Sequence, residues 1–118
     1  MDAFTPKYRT MVGELKNKLV QLQRLWIQKH GSIQGFSETL EAKAIATNLK
    51  SLDEQKSEFM LEEKQLDQEF TQAQNVIKRE YGFLYMEPFR QYCEKIGLTA
   101  KLTKHNSTKP VLVQVQEV

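Results

Sequence analysis

The sequence predicts an all-α chain: a helical hairpin or coiled coil of two long helices plus a short C-terminal helix, with a short β tail as an option at the end. Three observations predict it. Apolar residues recur at intervals of three and four in two separate runs, the spacing of one stripe on a helix. No Gly or Pro interrupts the 45 residues from Ser37 to Tyr81. The glycines and prolines that could break helices cluster at the ends of the runs.

The first helix is expected over about residues 5–30. Thr5-Pro6 is a good start, with Thr as the cap and Pro at the first helical position. Tyr8, Val12, Leu15, Leu19, Leu22 and Trp26 then form a narrow stripe, as in a coiled-coil seam. His30-Gly31 reads as its stop, because Gly suits the left-handed cap position. A short connection holds Gly31 and Gly35.

The second helix is expected over about 37–85, with Ser37 as cap and Glu38 in its first turn. Its stripe is Ile45, Leu49, Leu52, Phe59, Leu66, Phe70, Ala73 and Ile77, with Lys56 and Glu63 on the same seam. Polar seam residues weaken packing but fix register. One unbroken helix here would run roughly 65 Å at about 1.5 Å per residue. Gly82 and Pro88 break the pattern within an aromatic cluster that includes Tyr81, Phe83, Leu84, Tyr85, Met86 and Phe89. A short helix is expected over about 88–96, ended by Gly97. A tail over 98–118 finishes in the β-prone Val111–Gln116, either an edge strand or a free end. The 118 residues fit one helical domain.

Composition narrows the function. Hydrophobic residues are 40% and charged residues 27%, too apolar for a disordered chain and too polar for a membrane protein. No apolar run approaches the ~20 residues that span a bilayer. With no secretory signal at the start and a single cysteine, Cys93, a cytosol-like compartment is expected. Charge is uneven. Residues 1–30 carry six Lys/Arg against two acids, 31–80 six against ten, and 81–118 five against three. Basic ends around an acidic middle suit a polyanionic partner or head-to-tail subunit contacts.

Catalytic chemistry needs groups that converge. One Cys and two His, His30 and His105, sit in no metal-ligand spacing, and five scattered glycines make no phosphate loop. The middle helix alternates acids with Lys as a solvated face does. No metal or cofactor is expected, and the chain reads as non-enzymatic.

A stripe as long as the second helix needs cover, and the first helix is long enough for only about half of it. The remainder, left in water, would be an aggregation liability. Self-assembly is therefore expected, with Phe59, Leu66, Phe70, Ile77, Phe83, Leu84, Phe89, Tyr92, Ile96 and Leu98 as candidate subunit contacts; for the C-terminal ones an ordinary internal core is the competing reading. Single-stranded nucleic acid is the partner that suits basic side chains interleaved with aromatics. Two stretches offer this. One holds Lys7, Arg9, Lys16, Lys18, Arg24, Lys29 and His30 around Tyr8 and Trp26. The other holds Arg90, Tyr92, Lys95, Lys101, Lys104, His105 and Lys109. Tyr8 and Trp26 fall on the seam and read as core.

The stretch Trp26-Ile27-Gln28-Lys29-His30-Gly31-Ser32-Ile33 resembles the equivalent helix end of the UvsY recombination mediators of T-even-type phages. The resemblance continues ungapped into Leu40-Glu41-Ala42 and Leu52-Asp53, about 30 of 118 residues. The family's basic motif falls on Asn48–Glu54, where Ser51 and Glu54 replace its Arg and Tyr while Lys50 remains to serve nearby. The resemblance implies a ring-like homo-oligomer in the cytoplasm of a phage-infected cell. It implies binding to single-stranded DNA, to the phage single-strand-binding protein and to the recombinase, which it would help to load. The expected DNA face is Lys7, Arg9, Lys16, Lys18, Arg24, Lys29, His30 and Lys50. The alternative is a helical protein-interaction module, an assembly chaperone or structural coiled coil, with a partner helix along Ile45–Ile77 and no affinity for DNA.

Overall fold

The computed structural model describes residues 2–114. The chain is all-α, and among the described residues four α-helices and one short 3₁₀ turn appear, with no strand. The helices are α1 (Phe4–His30), α2 (Leu40–Tyr81), α3 (Met86–Lys95) and α4 (Leu98–Ser107). Contacts divide the chain into two compact units. One holds Phe4–Lys56 with the segment from Lys109, and the other holds Ser57–Thr108 with the extreme N-terminus.

In the first unit, α1 and the start of α2 form an antiparallel hairpin. Lys56 sits over the Tyr8 ring at 5.3 Å at one end, and Trp26 meets Phe36 edge-on at 6.2 Å at the other. Ala42, Ile45 and Leu52 are buried along α2, while the α1 stripe is only half-buried, because two helices cannot enclose each other. The turn between them is built on Trp26. Its indole N–H donates to the Gln34 carbonyl at 3.0 Å, and its ring lies 3.9 Å from that of His30. Buried Phe36 opens the 3₁₀ turn Phe36–Glu38, so α2 starts at Leu40 instead of Ser37. Thr39, not Ser37, is the cap: its hydroxyl accepts from the Ala42 N–H at 3.2 Å and donates to the Phe36 carbonyl at 2.8 Å.

Beyond Lys109 the tail is extended along α2. The Gln55 side-chain amide both donates to the Val111 carbonyl and accepts from the Val111 N–H, each at 2.9 Å. One heptad earlier, Asn48 accepts from the Val113 N–H at 2.6 Å. Residues 111–114 are therefore tied by side-chain amides rather than paired as a strand; residues 115–118 of the expected β tail lie outside the described residues.

Gly35 adopts φ +86°, and a Cβ there would stand 3.3 Å from the Trp26 ring. Gly13, inside α1, has open space around it. Gly35→Ala should therefore cost about 1–2 kcal/mol for the left-handed backbone alone. Gly13→Ala should stabilise by roughly 0.5–1 kcal/mol. Thermal unfolding of the two variants should move in opposite directions.

In the second unit, the rest of α2 packs with α3 and α4. Leu66, Ala73, Ile77, Phe89, Cys93 and Leu98 form its core, flanked by half-buried Phe70, Leu84, Tyr92 and Leu102. Phe70 and Phe89 meet edge to face at 5.1 Å. Gly82, at φ +77°, ends α2 at Tyr81, four residues earlier than expected. Pro88 is tolerated as the third residue of α3, where its missing N–H has no helical partner to lose.

The largest departure is α4, where a tail was expected. Its inward stripe is Leu98, Leu102 and His105, at i, i+4 and i+7. His105 is 4% exposed and stacks on Phe59 with ring centroids 4.0 Å apart. A histidine used as an apolar surface completes a helical pattern that two leucines alone do not announce. One turn before it, Lys101 reaches Glu69 of α2 at 3.2 Å.

This arrangement removes the premise of the self-assembly argument for α2. The second half of its stripe is covered from within by α3 and α4. Of the ten candidate subunit contacts, Phe59, Leu66, Ile77, Phe89 and Leu98 are buried in this unit, and Phe70, Leu84 and Tyr92 pack against its core. Only Phe83 and Ile96 are exposed.

Candidate nucleic-acid interface

α1 carries six Lys/Arg and one acid, Glu14. Its seam faces α2, so the charged residues are left to its flanks and outer side. Lys7, Lys18 and Lys29 recur every eleven residues, about three turns, and line one edge of the seam over roughly 33 Å. Arg9 and Lys16, two turns apart, line the other edge, and Arg24 lies on the outer face. All six are exposed, and among the described residues none has an ion-pair partner. Six like charges on a helix that carries a single carboxylate, Glu14, are poised for an external anion. His30 is exposed too, but its ring is engaged by Trp26. Lys50 is exposed on α2 within the same unit. The eight residues expected to form a DNA face thus fall within one unit, on the two helices of its hairpin.

The second basic stretch is a different case. Arg90 is bound by Glu87 and by Glu94, the latter at 2.8 Å, and Lys101 by Glu69. The Arg90 guanidinium holds the Glu87 carboxyl below its ordinary range, through their hydrogen bonds first and their charges second. Tyr92 is half-buried and His105 buried. Neither ring nitrogen of His105 makes a hydrogen bond: Nδ1 lies 3.3 Å from Glu62 Oε1 but without hydrogen-bonding geometry. The stretch therefore contributes packing and internal ion pairs more than a free cationic surface. Lys95, Lys104 and Lys109 remain exposed and without an ion pair among the described residues.

Cys93 is 5% exposed, and burial pushes its thiol pKa up, which keeps it a neutral packing group rather than an activated nucleophile. Among the described residues no cluster of three or more His, Cys, Asp or Glu is arranged to hold a metal ion. No described helix is long and apolar enough to cross a membrane.

The aromatic cluster expected at the helix break is split between core and surface. Tyr81, Phe83, Tyr85 and Met86, at the α2–α3 turn, are 51–70% exposed. Aromatics at a helix break read equally well as core, so only coordinates separate these from their buried neighbours Leu84 and Phe89. No protein family, curated protein or solved structure matches the chain.

Proposed function

We propose that the chain is a non-enzymatic module that binds single-stranded DNA through the cationic flanks of α1. The further proposal is that it acts as a recombination mediator, helping to load a recombinase onto DNA covered by single-strand-binding protein. The observation that carries the first part is the charge state of α1: six exposed, unpaired cations against one carboxylate. The mediator role rests on the UvsY-like stretch Trp26–Ile33. Trp26, His30 and Phe36 build the hairpin turn, so that stretch orients the helix bearing the cations. Binding would need no bond chemistry, only many weak phosphate contacts released together as salt rises.

Anisotropy of a labelled single strand, titrated at increasing salt, tests this. Binding at low salt whose logarithm falls linearly with log salt, at about −0.7 per phosphate contact, is expected. No binding at low salt sinks the proposal.

The alternative, a protein-interaction module, draws its support from exposed apolar side chains in the same unit: Val20, Leu25, Ile27, Ile33 and Leu40. A homo-oligomer, as the resemblance implies, would use these rather than the α2 stripe. Leu52 and Phe59, on the seam that a partner helix would have to cover, are buried within the chain.

A further inference from the structure

The α2–α3 turn displays three aromatic rings in water. Phe83 is 67% exposed, Tyr81 54% and Tyr85 51%. Tyr85 is the centre of the group, 6.1 Å from Tyr81 and 5.9 Å from Phe83, and both neighbours meet it edge to face. Rings so arranged spend little of their flat faces on one another. Exposing this much aromatic area costs solvation free energy, whereas Leu84 and Phe89 of the same segment are drawn into the adjacent core.

The charges around the rings identify what fits them. Lys78, three residues before Tyr81 and so on the same side of α2, is exposed. Arg79 is exposed beside it, and among the described residues neither has an ion-pair partner. On the far side of the turn, Glu87 is already neutralised by Arg90. The rings thus sit beside two free cations, Lys78 and Arg79, against one free acid of α2, Glu80, while the nearest acid of α3 is engaged by Arg90.

We propose that Tyr81, Phe83 and Tyr85 form a stacking platform for the unpaired bases of a single-stranded nucleic acid, with Lys78 taking a neighbouring phosphate. This rests on the reading that the chain binds single-stranded DNA, and adds a second, base-directed contact to the phosphate-directed one on α1. Flat apolar faces next to free cations match a strand that offers bases and phosphates in alternation, and match less well the uncharged apolar surface of another protein. Stacking on aromatic faces tolerates every base, so the platform confers preference for single strands over duplex without preference for sequence.

Phe83→Leu combined with Tyr85→Leu keeps apolar bulk and removes the faces. The double variant should bind a labelled single strand at least about five- to 150-fold more weakly, the range for loss of one stack. Its salt slope should stay unchanged, whereas Lys78→Gln should reduce the slope by about 0.7. An oligonucleotide of abasic sites should bind the unaltered protein as weakly as the intact strand binds the double variant, and the variant should lose little more on the abasic strand. Equal binding of intact and abasic strands by the unaltered protein overturns the platform. So does full binding by the double variant. A changed sedimentation coefficient with unchanged DNA affinity makes the turn a contact between copies of the chain and overturns it too. These results leave the salt-sensitive binding by α1 standing; no binding of either strand by the unaltered protein at low salt removes both readings. Unaltered thermal unfolding of the double variant confirms that the fold is kept.

Discussion

Leu98→Ala is expected to destabilise the chain by about 2–5 kcal/mol, and the loss should not depend on protein concentration. Leu98 is the first residue of α4, 1% exposed, and part of the core formed with Ile77, Phe89 and Cys93. Truncating a leucine in such a site removes its transfer free energy and leaves a cavity that helix backbones cannot close. For a chain of this size the midpoint of thermal unfolding should fall by roughly 10 °C or more. The same change at Phe83, 67% exposed, should stay within about 0.5 kcal/mol. The pair decides between two accounts of the apolar residues along the second half of α2. If α3 and α4 cover the stripe within one chain, the midpoint of the Leu98 variant is the same at every concentration. If a second copy supplies the cover, unfolding is coupled to dissociation and the midpoint rises with concentration. A concentration-dependent midpoint, with Phe83→Ala as damaging as Leu98→Ala, would overturn the intrachain core.

Periodicity made the helices legible, because a stripe at intervals of three and four must be buried by something. It does not say by what. Leu66 and Ile77 stand on that stripe and were expected as subunit contacts, but their cover within the chain comes from α3 and from α4, a helix whose pattern is legible only when His105 is counted with the leucines. Charge was legible in the same partial way. Glu87, Arg90 and Glu94 stand at helical spacing, so their pairing could have been read from the chain. The pairing of Lys101 with Glu69 joins residues 32 apart and could not. For α1 the two levels agree, since a helix with a single carboxylate can do little to neutralise itself. Tyr81 and Phe83 could not be separated from Leu84 and Phe89 without knowing that Gly82 turns the chain where it does.

The replacement of Lys7, Lys18 and Lys29 together by Gln is expected to have the largest effect on binding to single strands. These three share one edge of α1, so one strand can meet all of them without bending around the helix. Losing three phosphate contacts should flatten the slope of log affinity against log salt by about 2, at 0.7 per contact. Between roughly 0.05 M and 1 M salt, a change of that slope amounts to a few hundredfold in affinity at the low end. Stability should move by less than about 0.5 kcal/mol, because all three side chains are exposed and none has an ion-pair partner to lose among the described residues. The second unit supplies the control. With Asp2 it holds nine acids against seven Lys/Arg, and Arg90 and Lys101 are already engaged by carboxylates. Arg90→Gln with Lys101→Gln should therefore leave the slope nearly unchanged. A slope that falls equally in both variants would mean that the strand follows net charge over the whole chain, and α1 would lose its claim to be the interface. A slope untouched by the α1 variant would move the phosphate contacts off that edge altogether, leaving Arg9, Lys16 and Arg24 as the next residues to replace.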